Sequence, residues 1–414
     1  RGTKFRSSTG MRKLKAALDD VKILEYGESI SAPYCSKLLA DLGAQVIKIE
    51  KPFAGDSARR RGPFLSDIPG PDRSGLFLYL NSNKYGVTLD LEKPTGREVF
   101  KKLVEDADIF IEDTRPGTLD TLGIGYKDLE NINPSLIVTS VAAFGQNGPY
   151  KHYRGSDLIN WHMGGPGYVT PHWAGTTEQE PLKAMQSASF VTGISAAIAT
   201  MCALNVQRNK QGGQQVDVSQ LESTATMFGY CLAYWPYEHR SDTRASKPAV
   251  APENFIECKD GWVCLRIVEE HHWQKFVEAI GSPDWATHEL FKDMYSRAEH
   301  WESLQPLLTA WAMELTKKKI FELAKKIKVP IGPLYSMEEV VNNPQLKERG
   351  FFVEIGHPET GKIAYPGAPY IFPKTPWEIR IPAPILGQHN LDIYCDHLGY
   401  TREELVKMYE AGII

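Results

Sequence analysis

Long apolar runs are missing from this 414-residue chain: no stretch of about 18 consecutive apolar residues occurs, and no short apolar core precedes a small-residue cleavage site. Neither a membrane span nor a secretory signal is therefore expected, and the composition reads as that of a cytoplasmic protein. Cysteine is sparse. Its six positions, Cys35, Cys202, Cys231, Cys258, Cys264 and Cys395, form no CxxC and have no histidine cluster beside them, which excludes a disulfide framework and a structural zinc site and leaves small buried thiols as the expectation. An excess of one charge is also lacking: 47 Lys and Arg stand against 51 Asp and Glu, a net charge of −4. A dedicated binder of nucleic acid or of an anionic membrane normally carries a basic excess, so both are excluded, and any polyanionic ligand must be met by a local basic patch. Two catalytic signatures are absent as well. No GxSxG is present, and the first loop, Gly27-Glu28-Ser29-Ile30-Ser31-Ala32-Pro33, holds a single glycine where a dinucleotide-binding loop needs three.

What is present is an alternation of apolar runs and helical spacing. Val21 to Leu24 reads as a strand, Ala32 to Leu42 as a helix stopped at Gly43, and Gln45 to Ile49 as a second strand. The unit recurs: helix over 96–106, strand over 108–111, short helix over 126–131 and strand over 136–141. A small-residue helix over 190–205 and a strand over 215–218 follow. Strands alternating with helices predict an α/β fold, a Rossmann-like parallel sheet covered by helices, whose ligands sit in the loops at the carboxyl ends of the strands. Composition shifts over 234–252. A hairpin around Asp260-Gly261 and helices over 272–280, 297–315 and 319–328 then predict a smaller α+β domain over 235–330. Residues 331–414 return to the large domain, with strands over 351–355 and 362–366, an extended strap over 373–384 whose prolines preclude a helix, and a terminal helix over 402–410. Residues 1–20, basic and polar before Met11, read as a tag and lead outside the fold.

Three strand-end loops, together with the first loop, are candidates for one ligand crevice. The first loop opens a helix, whose N-terminal N–H groups favour an anion, although an ordinary cap explains it equally. Residues 48–61 carry Lys48, Lys51, Arg59, Arg60 and Arg61 against Glu50 and Asp56. Such a glycine-containing basic loop suits a phosphate-bearing ligand, and a solvated charge run is the plainer alternative. Asp113-Thr114-Arg115-Pro116-Gly117 follows the strand over 108–111 and is also compatible with a simple turn. Phe144-Gly145-Gln146-Asn147-Gly148 would let a ligand approach the backbone. Asp157 opens an apolar helix and needs no role beyond a helix cap. Cys35 has no basic neighbour to activate it. An aromatic set, Trp161, Tyr168, Trp173, Phe228, Tyr230, Tyr234 and Trp235, reads either as core or as an aryl pocket.

Taken in order, several segments resemble the class III CoA-transferase, or CaiB/BaiF, family over residues 19–414. The carriers are Ala32-Pro33, Leu39 to Ala44, Val46 to Glu50, Gly55-Asp56 with Arg59, Asn83-Lys84, Leu89-Asp90-Leu91, Arg115-Pro116-Gly117, Phe144 to Tyr150, Pro330 to Pro333 and Leu386 to His389. The resemblance implies an α/β large domain built from both chain ends, a small domain between them and two interlocked subunits. It implies a coenzyme A thioester as substrate, no tightly bound cofactor and no metal, with CoA bound through the strand-end loops, here Ser31, Ala32, Lys51, Arg59, Asp113, Thr114, Arg115, Phe144 and Gly145. Family members transfer CoA through an aspartate that forms an acyl anhydride, a species reactive enough for the CoA thiolate to recapture. That aspartate lies four residues before a helix glycine. In this chain the glycine is Gly193, and Ser189 occupies the aspartate's place. A serine ester would be a far poorer CoA acceptor, and no base motif accompanies Ser189 in the sequence, so Ser189 is not expected to act as a nucleophile. Related racemases place a histidine before the aspartate at 157, where this chain has Ser156, which disfavours racemisation. The resemblance is to an aspartate-lacking subunit that works with a homologous partner carrying the aspartate, with succinyl-CoA as donor and benzylsuccinate as acceptor. The alternatives are a homomeric transferase whose aspartate is altered, naturally or by mutation, or is supplied by Asp157, and a CoA-binding scaffold without chemistry.

Overall fold

The computed structural model describes residues 16–171, 180–183, 185–245 and 248–414; Trp173 and most of the lead lie outside them. The chain divides into two compact units. The large one gathers the described residues of Arg1–Gly167, Leu182–His239 and Gly350–Ile414, and the small one those of Tyr168–Pro181 and Arg240–Arg349.

The large unit is built on six parallel strands: β1 (Lys22–Tyr26), β2 (Gln45–Glu50), β3 (Lys84–Thr88), β4 (Ile109–Glu112), β5 (Ile137–Ala142) and β6 (Gln215–Ser219). Their spatial order is β3-β2-β1-β4-β5-β6. The order reverses between β1 and β4, so the loops leaving those two strands diverge and open a crevice at their carboxyl ends. Helices cover both faces, which is why β4 and β5 are buried along their whole length and read as continuous apolar runs. Alternate residues serve alternate faces. Ile23, Val46, Ile109 and Ile111 pack under α1 (Ser31–Asp41), while Leu24, Ile49 and Phe110 pack under α2 (Pro94–Val104), joined by Leu129 of α3 (Tyr126–Ile132).

Three further helices of this unit approach the crevice: α4 (Asp157–Met163), α5 (Ser187–Arg208) and α6 (Gln220–Thr226). By length and composition α5 is apolar enough to cross a membrane, but Ala196, Ala197, Ala203 and Leu204 put it into the core with α1 and the sheet. Its small residues permit a close approach: a Cβ on Gly193 would lie 2.9 Å from the Ser31 carbonyl oxygen and 3.0 Å from Tyr34 Cβ.

The small unit has β7 (Glu253–Cys258), β8 (Gly261–Arg266) and β9 (Ile331–Pro333) in one antiparallel sheet. Over it lie α7 (Glu270–Ala279), α8 (Trp301–Met313) and α9 (Lys317–Ile327), burying Ile256, Val263, Leu265, Phe276, Leu304, Leu308 and Ile320. This unit extends to Arg349 rather than ending at 330, and β9 joins it by pairing antiparallel with β8, Arg266 N donating to Pro330 O and Leu334 N to Trp262 O at its two ends. The helix expected over 297–315 is two helices, Met294–Glu299 and α8, meeting at His300.

The return segment adds an antiparallel pair, β10 (Phe352–His357) and β11 (Gly361–Pro366), and the terminal helix α10 (Arg402–Glu410). It contributes no strand to the parallel sheet. Instead it lies along β3: Gly86 N donates to His389 Nδ1 at 3.0 Å, Thr88 N to Asn390 Oδ1 at 2.9 Å, and the Tyr394 hydroxyl to Thr88 O at 2.9 Å. Just before β3, Asn83 joins Asp41 to the strap through Glu378 O and Arg380 N. The cysteines are less uniform than expected: Cys35 and Cys258 are buried, Cys202 is exposed, and the other three are half-buried.

Candidate active site

The crevice between β1 and β4 holds a cleft of about 570 Å³. The β1 loop supplies Glu28, Ser29 and Ser31, the β4 loop Asp113, Thr114 and Arg115, and the loop after β5 Lys151, Tyr153 and Arg154. Arg61 enters from the loop after β2, its Nη1 donating to Ser29 Oγ at 2.9 Å. Four cationic side chains therefore line one cleft: Arg61, Arg115, Lys151 and Arg154. The N-terminal ends of α1 and α5 also meet it at Ser31 and Gln186, and their dipoles add to the positive potential.

At the floor, Asp157 and Ser189 are joined. The Ser189 backbone N–H and its hydroxyl both donate to Asp157 Oδ1, each at 2.8 Å. Gln220 Nε2 donates to Ser189 Oγ at 3.0 Å, and Gln220 is held in turn by Asn160 Nδ2, 2.5 Å from its Oε1. Ser31 Oγ donates to the Ser189 carbonyl at 3.1 Å. The cap reading of Asp157 is corrected in an instructive way. The cap of its own helix α4 is Ser156, whose Oγ accepts from Ile159 N, whereas Asp157 accepts from the third residue of α5. The carboxylate thus satisfies a free N–H of a different helix.

Buried charge fixes the loops around this floor. Lys48 Nζ lies 2.7 Å from Glu25 Oε1 and 2.9 Å from Asp56 Oδ2, and it donates to Gly27 O at 2.9 Å. Lys84 Nζ lies 2.7 Å from Glu25 Oε2. Burial alone would raise the Glu25 pKa, but the two lysines pull it down to about 2. Burial, with Lys48 alongside, brings Lys84 down to about 8 despite Glu25. Asp56 Oδ1 accepts from Ser29 N at 2.8 Å, so this network clamps the loop that carries Ser31. Asp113 accepts the Glu28 N–H, and loss of water pushes its carboxyl well above the ordinary range, with Asp56 and Glu112 adding to the shift. Glu112, which accepts from Thr114 N and Oγ1, is raised by burial too.

Of the residues expected to bind a CoA-like ligand, Ser31, Asp113, Thr114 and Arg115 line the cleft. Ala32 lies fully buried behind it. Arg59 is a correction. It is 1% exposed, and its guanidinium bonds Glu50, Asp72 and the Pro384 carbonyl and stacks 3.7 Å from the Phe77 ring centre, so it holds the fold and lies outside the cleft lining. Lys51 is exposed and pairs with Glu92 at 2.9 Å, outside the cleft lining. Phe144 and Gly145 also lie outside it. Gly145 takes a φ of +79° beside Asp217, which receives the Gln146 N–H at 3.0 Å and pins that turn. None of the described aromatic candidates lines the cleft: Trp161 is core, packed edge-on against Phe228, while Tyr230 and Trp235 are exposed. The sequence reading missed Arg61 as distinct from Arg59, the Lys151–Arg154 run, and Gln220. The run Lys151-His152-Tyr153-Arg154 was the available signal.

The CoA-transferase family III model matches residues 18–390. Succinyl-CoA–D-citramalate CoA-transferase of Chloroflexus aurantiacus is 32% identical over 401 residues, covering 96% of this chain and 98% of that one. The BbsE subunit of succinyl-CoA:(R)-benzylsuccinate CoA-transferase from Thauera aromatica is 32% identical over 397 residues, covering 92% and 94%. The crystal structure of a CAIB/BAIF family protein from Brucella suis superposes with a TM-score of 0.83 at 28% identity, covering 92% and 99%.

Proposed function

The chain belongs to CoA-transferase family III, and from that membership we propose that it is one subunit of an enzyme moving CoA from succinyl-CoA to a carboxylic acid of the arylsuccinate type. The observation that carries this reading is the cleft itself: four cations ring its walls and a serine, not an aspartate, stands at position 189 on its floor. Arg61, Arg115, Lys151 and Arg154 suit the phosphates of CoA, because guanidinium groups grip phosphate oxygens in pairs. Ser31, Asp113 and Thr114 then face the remainder of the thioester, and Lys51, Phe144 and Gly145 belong to the outer part of the same ligand path. The thioester group would approach Ser189. With a hydroxyl there, the anhydride route has no carboxylate at its accustomed place, so a homologous subunit supplies the aspartate and the two assemble as an interlocked pair in the cytoplasm. Similarity to two relatives named for succinyl-CoA supports the donor, and similarity to the benzylsuccinate enzyme's subunit supports the acceptor.

Titration calorimetry with CoA and a transfer assay test the reading together. The chain alone should bind CoA yet exchange it between succinyl-CoA and an added acid only when mixed with an aspartate-bearing homologue. Transfer at ordinary rates by the purified chain alone overturns the subunit reading. Failure to bind CoA overturns it altogether.

A further inference from the structure

The hydroxyl of Ser189 does not behave like those of Thr192, Ser195 and Thr200 further along α5. Thr192, Ser195 and Thr200 each donate to the carbonyl four residues back, at 2.7, 3.0 and 2.7 Å, the ordinary way a helix disposes of such a group. Ser189 instead donates to a carboxylate, Asp157 Oδ1, and accepts from Gln220 Nε2. One proton and one lone pair are thereby fixed, and the remaining lone pair is left on an atom whose residue lines the cleft. The amide of Gln220 is set by Asn160, itself fully buried. A nucleophile, a base in hydrogen-bond contact with it, and a third group orienting the oxygen are the parts that activate an alcohol for acyl transfer.

We propose that Ser189 is an acyl-accepting nucleophile with Asp157 as its base, giving this chain an acyl-CoA-hydrolysing activity distinct from CoA transfer. The proposal rests on the reading that the cleft takes a CoA thioester. In the first step Ser189 Oγ attacks the thioester carbonyl carbon, the Oγ–C bond forms and the C–S bond breaks. The hydroxyl proton passes to Asp157 and from there to the departing CoA sulfur. In the second step water attacks the ester carbonyl, the Oγ–C bond breaks and the free acid leaves. A proton of that water returns to Oγ through Asp157. The sum is acyl-CoA plus water giving acid plus CoA, with no change of oxidation state. The ester is too unreactive for the CoA thiolate to recapture efficiently, so hydrolysis and not transfer is the outcome.

The test uses the full chain with succinyl-CoA, intact-mass spectrometry, peptide mapping, and assay of released thiol. A succinyl adduct on the peptide containing Ser189 and slow thiol release are expected. Ser189→Ala should abolish both. Asp157→Asn should slow them by about 100-fold, the usual contribution of a general base. The asparagine oxygen still accepts the Ser189 N–H, so α5 stays capped and the melting temperature reports whether the fold is intact. Ser189→Cys should keep acylation, now as a hydroxylamine-labile thioester. Unchanged hydrolysis in Ser189→Ala overturns the proposal, as does succinyl found on Asp157 after borohydride trapping. CoA binding by calorimetry with neither adduct nor hydrolysis overturns this proposal and leaves the functional reading standing. Absence of CoA binding removes both.

Discussion

Arg59 and Glu50 meet as a two-point fork inside the large unit, Nε to Oε2 and Nη2 to Oε1 both at 2.7 Å, with each side chain 1% exposed. Removing one partner leaves the other charge buried without compensation, whereas replacing both with apolar groups of similar volume does not. Arg59→Ala is expected to cost about 3–5 kcal/mol, and Arg59→Met combined with Glu50→Leu much less. Urea denaturation of the three proteins measures this; equal losses in the single and double variants would refute the account.

The cations of the cleft should behave differently. Arg61 and Arg115 line the cleft, and on the proposed reading they meet the CoA phosphates, so Arg61→Ala and Arg115→Ala are each expected to weaken CoA binding about tenfold, as loss of a charge-assisted phosphate contact does. They should also flatten its dependence on salt. Calorimetry at two ionic strengths reads both effects.

Stability should fall in two stages on acidification. Burial lowers the pKa of His357 and of His389, so the unfolded chain takes up protons below about pH 6.5 that the folded one resists. Stability from these groups is therefore present above that pH and lost below it. Protonation of His389 Nδ1 would also remove the acceptor of the Gly86 N–H. The second stage belongs to Glu25, whose folded pKa of about 2 lies below its ordinary 4.5. That corresponds to about 3 kcal/mol lost as pH falls through that interval. Denaturant midpoints from pH 8 to pH 2 should decline first near 6.5 and again below about 4.5, and His389→Asn should blunt the first decline alone.

Ser189→Asp puts a carboxylate at the position where, on the proposed reading, the anhydride route lacks one. The variant chain alone should gain CoA exchange between succinyl-CoA and an added acid, detectable by chromatography of the CoA esters. Asp157 stands one hydrogen bond away, so two carboxyls would share the floor and one would be held protonated. Adding Asp157→Asn is expected to raise the gained activity further.

How far the sequence could be read depended on whether a residue's meaning is local. Apolar runs such as Phe110-Ile111 and Ile137-Val138 identify buried parallel strands because both faces are covered. β3 escaped because Lys84 and Gly86 interrupt it, and the reason a lysine belongs there, Glu25, lies 59 positions earlier in the chain. Arg59 and Arg61 look alike in a charge run, yet one is walled in by Phe77 and Glu50 while the other reaches the cleft. The pairing of Ser189 with Asp157 spans 32 residues. Only the packing of α4 beside α5 brings them together, so no local pattern announces a base for that serine.

The seam along β3 has a consequence for how the protein is made. Gly86 and His389 are 303 residues apart in the chain. At the ~5–20 residues per second of synthesis, β3 waits on the order of 15–60 s for the segment that seals its edge. During that interval the small unit is completed as a guest within an unfinished host, and an edge strand carrying Val87 beside unpaired backbone groups stays open to other chains. Substitutions along the seam, at Asn83, His389 or Asn390, should therefore reduce soluble yield more than they reduce the stability of the finished molecule.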